Sequence, residues 1–580
     1  MTDEQFRNEP ADRLIEQVVN GRMTRRQLLV RASMLGFSAV AIGGLLAACG
    51  SVSNQSGTTS SAASVPAPQY GGTYNYPLDG DPVGITPNTY QESIGYNVVR
   101  QIFEGLMTYR LASDGVTMNT VPDLCTDYAM SSDAKVFTFT IRQGVYFQPP
   151  VNTEVTAADF VASWNAVADP KNWIPGTPAY ILAPIVGTDA TGAARHGLTG
   201  VKAIGKWTLQ VTLKYPFAEF PASLGHPILA VWPVAYAMKE TLASFEQKPI
   251  GTGPYQLQEW AHDREIDLVR NPHWWAASAT NGPFVDTIHM PEFSDLSTEW
   301  LAFQAGNIDF TSVPLAQVQS SERLAAQKGW IAKMWPQLAV EFIGINQKSS
   351  VVGGAANLPL RQALSYSVDR NAVIDTVEEG VPLMPNGMVP VGIPGSNIST
   401  LSYPYDPAKA QQIVKGLGTV PSLRLWYNTG ANFDEVLAPV QAGWRAIGLH
   451  VTLTGYEWGT YLTKCAQGTQ DQLYRLGWSA DYPSMDDFLY PLFQSSVSNA
   501  NAFTAYSNPT VDALLATARG TLDQTQRLQI YAEAEKLILA DAPVIPMYFD
   551  RDYRVMNTRV LGQQHDQMGS EDMNLVWVAQ

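Results

Sequence analysis

The sequence predicts an α/β chain with more than one sheet and more than one domain. Stretches that alternate apolar and polar residues with the period of a strand, such as residues 136–141, are interleaved along the chain with stretches whose apolar residues recur at helical spacing, such as residues 528–538. The chain is also too long for one core: 580 residues, at about 150 per domain, point to about three or four domains. Apolar residues make up 45% of it, enough to fill those cores, so the bulk of the chain reads as globular.

The first seventy residues read as an address, a tether and a spacer. Arg25-Arg26 precedes an apolar stretch, Leu35 to Ala48, that is too short and too rich in Gly and Ala to span a bilayer, which is the order of a signal peptide over residues 1–48. The paired arginines resemble a twin-arginine export signal. Leu46-Ala47-Ala48-Cys49-Gly50 resembles the bacterial lipobox, in which the Cys49 thiol would be acylated and become the first residue of the exported protein. Acyl chains on Cys49 would anchor it to the outer face of the membrane by burying methylenes at about 0.8 kcal/mol each. Residues 50–69 are almost wholly Ser, Thr, Ala, Gly, Pro, Asn and Gln, too polar to offset their ordering entropy, so 49–69 is expected as a lipidated flexible linker.

Beyond the linker, Val136-Phe137-Thr138-Phe139-Thr140-Ile141 places Phe137, Phe139 and Ile141 on one face of a half-buried strand, and Leu209 to Leu213 repeats the pattern. Gly251 and Gly253, in Pro249-Ile250-Gly251-Thr252-Gly253-Pro254-Tyr255, read as positions for positive φ and close backbone approach, and the block as a tight junction inside a domain. Near the C-terminus, Leu528, Tyr531, Ala534 and Ile538 mark a helix that must stop before Pro543. A strand from Val544 to Tyr548 follows, where Pro546 favours an edge position or a strand start.

The formal charge of -16 and pI near 4.9, with no long Lys/Arg run, exclude nucleic acid as a main partner. Cys49, Cys125 and Cys465 are too few for a disulfide framework, and with seven scattered histidines they give no metal-type spacing. Gly200 to Trp207 falls short of a phosphate-binding loop because Trp207 stands where Ser or Thr would ligate Mg²⁺, and it precedes a strand rather than a helix; it reads as a hairpin turn. No nucleophile motif or zinc-protease motif is present, so no enzyme and no cofactor is expected.

Seven segments in order resemble the family 5 extracellular solute-binding proteins of ABC importers, over nearly the whole chain from Gly71. They include Ile102-Phe103-Glu104-Gly105-Leu106, Ile141-Arg142-Gln143-Gly144-Val145, the Pro249–Tyr255 block with Val269 to Trp275, Leu360 to Leu364 through Asp369-Arg370, and Tyr405-Asp406-Pro407. The resemblance implies a two-lobed, periplasmic-binding-protein-like (type II) α/β fold with an additional inserted domain. Lobe I would take residues 70–110, 195–335 and 550–580, the inserted domain 111–194, and lobe II 336–549. It further implies a monomer that closes on a small solute, most often a short peptide, and docks on the permease subunits; an oligosaccharide or a nickel chelate is the alternative ligand.

The same resemblance places the ligand residues. Asp481, in Gly477-Trp478-Ser479-Ala480-Asp481-Tyr482-Pro483, takes the position of the family's aspartate for the ligand ammonium, while a local reading has it bracing a turn before a helix capped by Ser484 and Asp487. Trp478, Trp458, Tyr427 and Asn428 fall in segments that line the pocket in oligopeptide binders, and Arg475 falls where some of them keep an arginine for the ligand carboxylate.

Overall fold

The computed structural model describes residues 67–579 apart from 91–92, 174–178, 240, 397, 399, 431, 467–471 and 498–503. The export signal, Cys49 and all but the last three residues of the expected linker lie outside the described residues.

Three sheets organise the rest. In the first, β1 (Thr73–Asn75), β10 (Thr287–Pro291), β9 (Glu265–Arg270) and β8 (Tyr255–Ala261) lie in that order. In the second, β4 (Cys125–Met130), β5 (Val136–Ile141), β7 (Thr208–Thr212) and β6 (Val201–Gly205) form an antiparallel meander with one crossover. Phe137, Phe139 and Ile141 are all buried on its inner face, as their alternation predicts. The Gly200–Trp207 segment supplies β6 and the turn into β7, a hairpin and not a phosphate loop.

In this sheet Thr208–Thr212 pairs with Val136–Thr140 and Val201–Gly205 pairs in turn with β7, so strands from either side of the expected 194/195 border share one sheet.

The third sheet runs in the order β11 (Phe310–Ser312), β16 (Val544–Met556), β12 (Ile331–Ile345), β15 (Leu473–Ser479), β13 (Leu423–Asn428), β14 (Val451–Tyr456). Its two long strands connect different cores. The first half of β12 and the second half of β16 pack with Trp300, Phe303 and Val318, whereas Ile343, Ile345 and Ile545 enter a core with Leu364, Leu437 and Trp444. Their antiparallel pairing is interrupted midway: it runs from Ile331↔Met556 to Pro336↔Arg551, then resumes only at Val340↔Phe549. Gln337, Leu338 and Ala339 therefore face Asp550 across a gap in the ladder. Pro546 falls where β12 is the only strand pairing with β16, since β11 pairs with residues 554–556 alone, in keeping with the edge position its missing N–H demands.

The glycine junction keeps one of its two expected features. Neither Gly251 nor Gly253 has positive φ, but backbone passes closely against both. A Cβ on Gly251 would meet the Ile102 carbonyl, and the Gly253 amide donates to that same oxygen at 2.9 Å. Three of the motif segments converge on one buried carboxyl here: Glu104 accepts from Thr252 Oγ1 (2.7 Å), Trp274 Nε1 (2.9 Å) and Trp275 Nε1 (2.9 Å).

The predicted C-terminal helix spans Gln524–Asp541 and ends on Ala542 in the left-handed region, with φ of 48°, just before Pro543. With the helices Met485–Phe493 and Pro509–Gly520 it forms a layer pinned by a buried ion pair, Arg519 Nη2 to Asp486 Oδ2 at 2.6 Å and Nε to Oδ1 at 2.7 Å. Tyr482 and Tyr531 donate to the same carboxylate at 2.8 Å each, and the guanidinium lies over Phe217 and Tyr490. That layer also holds the segment that follows β7, through Ser484 Oγ to Glu219 Oε2 (2.8 Å) and Ala218 N to Arg519 O (2.7 Å).

Candidate functional site

A cavity of about 470 Å³ opens at the interruption of the two long strands. Gln337, Leu338 and Ala339 of β12 and Asp550, Arg551 and Asp552 of β16 floor it, Tyr76 to Asp79 wall one side, and Ser479 and Ala480 close another. A second space of about 650 Å³ adjoins it through the shared residues Glu378, Val381, Asn432, Arg551 and Asp552. The two together make an elongated groove, large enough for a ligand of several residues.

The last strand before the cavity, β15, presents a free edge. It pairs with β12 from Leu473 to Ser479, but with β13 only at Leu473 and Tyr474. The Ala480 amide donates to Leu338 O at 2.8 Å, which sets the phase of the antiparallel ladder. Ala480 and Trp478 thus turn their backbone groups to β12, while Gly477 and Ser479 turn theirs to the side that β13 has left. Two successive positions whose N–H and C=O groups have no strand partner among the described residues are what an added extended chain pairs with.

Asp481 ends this edge. Tyr180 Oη donates to its Oδ2, its amide donates to Asp487 Oδ2 at 2.9 Å, and Tyr109 Oη donates to its carbonyl at 3.3 Å. Burial pushes the Asp481 carboxyl up to about 6, against the hydrogen bond from Tyr180. Burial and the neighbouring Asp481 charge also raise Asp487. No described Lys or Arg forms an ion pair with either carboxyl, so a cation entering here would supply the charge both lack. Ser484 caps the following helix through Asp486 N (3.0 Å), but Asp487 turns back to Asp481 instead of completing the expected capping pair.

The other predicted residues separate into two groups. Trp478 is half-buried on β15 opposite Val340, and its Nε1 lies 3.4 Å from Asp487 Oδ2, so it belongs with Asp481. Arg475 and Asn428 belong together: Arg475 Nη1 donates to Asn428 Oδ1 at 3.0 Å, Nη2 is ion-paired with Glu341, and the guanidinium lies 3.3 Å over the Phe433 ring centroid. Its charge is met by Glu341 of the neighbouring strand β12. Trp458 is 46% exposed and stacks on Tyr461, whose hydroxyl donates to Arg475 O. Tyr427 packs at the margin of the Leu364–Trp444 core. None of the six lines the 470 Å³ cavity itself, which touches the strand between Trp478 and Asp481.

Sequence reasoning missed the floor. Asp550-Arg551-Asp552-Tyr553-Arg554 puts charges at alternate and adjacent positions of a strand whose first six residues are all buried, a pattern at odds with a simple core strand.

Comparison with known proteins fits this geometry. The family model for bacterial extracellular solute-binding proteins, family 5 Middle, matches residues 119–500, well over half of the chain. The chain belongs to family 5 of the bacterial extracellular solute-binding proteins. Among family 5 relatives, the oligopeptide-binding protein OppA of Bacillus subtilis is 28% identical over 509 residues, covering 84% of this chain and 90% of that protein. Heme-binding protein A of Haemophilus influenzae is 27% identical over 552 residues, 90% of this chain and 95% of that protein. The periplasmic binding protein DppA of Helicobacter pylori, solved with the peptide STSA, superposes with a TM-score of 0.72 at 24% identity over 88% of this chain and 99% of that one. That likeness gives the two-lobed α/β fold. The two relatives are named for different ligands, so the ligand of this family 5 chain has to be argued from its own cleft.

Proposed function

We propose that this protein is the substrate-binding component of an ABC importer, capturing a short peptide in the cleft and delivering it to the permease. The observation that carries the reading is the free edge of β15 ending in Asp481. An extended peptide pairing with Gly477 and Ser479 would bring its α-ammonium to a desolvated carboxylate that has no other cation.

The capture needs no bond made or broken. In this reading lobe I takes residues 70–110, about 214–335 and 550–580, the inserted domain about 111–213, and lobe II 336–549. β12 and β16 are the crossing strands, and their interrupted ladder is the hinge. Ligand favours the closed form by touching both sides: Ser479 and Ala480 from one, Tyr76 to Asp79 from the other. Asp481 and Trp478 contact the ligand; Arg475 and Asn428 brace the strand beneath it, and Tyr427 and Trp458 flank the same end of the sheet. The protein works as a monomer, held at the outer face of the membrane by acyl chains on Cys49. Among the described residues no helix is long and apolar enough to cross a membrane.

Calorimetric titration with tetra-alanine and with its N-acetylated form tests this. Tetra-alanine should bind with one-to-one stoichiometry and the acetylated peptide, which lacks the ammonium, should bind far more weakly. Equal binding of the two removes Asp481 from the site, and binding of neither overturns the peptide reading.

A further inference from the structure

The floor of the cleft carries charge that the capture of an ammonium at Asp481 does not use. Four carboxyl groups, Asp79, Glu378, Asp550 and Asp552, line the 470 Å³ cavity against two guanidiniums, and the adjoining space adds Glu379 and Glu435. The guanidiniums leave the acidic side in excess by two: Arg554 is ion-paired with Asp552 at 3.2 Å, and Arg551 is anchored on the carbonyls of Gly380 (2.8 Å) and Val381.

Asp550 is the group left over. It sits where the β12–β16 ladder is interrupted, with Pro336↔Arg551 on one side and Val340↔Phe549 on the other, so no residue of β12 pairs with it. It accepts no hydrogen bond from any described residue. The groups facing it are Glu341, Glu378, Asp552 and Arg475, and Arg475 is already committed to Glu341 and Asn428. Among the described residues Glu378 has only the Asn432 side-chain amide, at 3.0 Å. Burial raises both carboxyls, and Glu341 raises Asp550 further. A recessed carboxyl that lines a cavity, lacks a donor and sits among other carboxyls is stabilised by a cation from outside the chain.

We propose that this wall is a subsite for a cationic side chain of the ligand, a lysine ammonium or arginine guanidinium received by Asp550 and Glu378, so that the protein selects basic oligopeptides. The inference rests on the peptide reading and adds the side-chain chemistry. It also fits the shape of the groove, because Glu378 and Arg551 lie where the two spaces meet, away from the Asp481 end.

The test is a set of tetra-alanine peptides carrying lysine at position 2, 3 or 4, each paired with the same peptide carrying norleucine, an uncharged side chain of similar length. Titration calorimetry on the wild type should show the lysine peptide binding at least about tenfold tighter at one position. In Asp550→Asn and in Glu378→Gln, two variants so that the result does not depend on one of them folding, that ratio should fall to within about threefold. Norleucine peptides binding as tightly as lysine peptides at every position, or both variants keeping the ratio, overturns the subsite while leaving peptide binding standing. Binding of no peptide at all overturns it together with the reading beneath it.

Discussion

Replacing Asp481 by Asn should make the ligand-free protein more stable and worse at its task. The Asp481 carboxyl is lifted from an ordinary 3.8 to about 6 by burial, so keeping it ionised at neutral pH costs at most about 3 kcal/mol. The amide carries no such penalty, and Asp481→Asn should raise the melting temperature of the ligand-free protein at pH 7. The sign fixes the pH dependence. A carboxyl raised in the folded state contributes stability below its unfolded value and loses it as pH rises through about 6. The advantage of the variant should therefore shrink toward zero as pH falls from 7 to about 4. Binding moves the other way, because losing a charge-assisted contact to an ammonium costs about 1.5–3 kcal/mol, or about 10- to 150-fold in affinity. Wild-type affinity for free-amine peptides should also fall as pH drops through about 6, as the carboxyl takes up its proton. Thermal melts across that pH range, with and without tetra-alanine, read all of this in one experiment. A variant that melts like the wild type at pH 7 and binds tetra-alanine equally well refutes the reasoning.

Three further outcomes follow from the structure. Arg519→Met leaves the buried Asp486 carboxylate without its ion-pair partner and should cost about 3–5 kcal/mol in urea unfolding, with the helix layer under Asp481 loosened. Gly251→Ala drives a methyl group into the Ile102 carbonyl and should destabilise by about 3 kcal/mol, measured the same way, whereas Gly416→Ala, which meets nothing nearby inside a helix, should be neutral or stabilising. Cys49→Ala should move the protein from the membrane fraction to the soluble fraction on cell fractionation, and a variant that stays with the membrane removes the lipobox reading.

The local elements were legible because local rules decide them. Val136–Ile141 alternates, and it is a strand with its aromatic face buried; Pro543 stops a helix where proline must. Which strands share a sheet was not legible: Thr208–Thr212 pairs across a long stretch of intervening chain with Val136–Thr140, and nothing local to either segment records that choice. In the site, a role for Asp481 could be suggested only through the resemblance of the segment around it, and the neutralisation of Arg475 depends on Glu341, brought near it by the pairing of β15 with β12. Gly251 teaches a related point: of the two reasons read for it, unusual φ and close backbone approach, only the second holds, and it is a property of its neighbour and not of its own backbone.

If the interrupted ladder of β12 and β16 is the hinge proposed above, the joint and the floor of the cavity fall on the same few residues. A guest lying on Gln337 to Ala339 and Asp550 to Asp552 would then rest on the moving part itself, with no relay between touching and bending. Substitutions that retune preference for cargo would on this account also alter how fast the halves swing, and grip and tempo could not be adjusted independently.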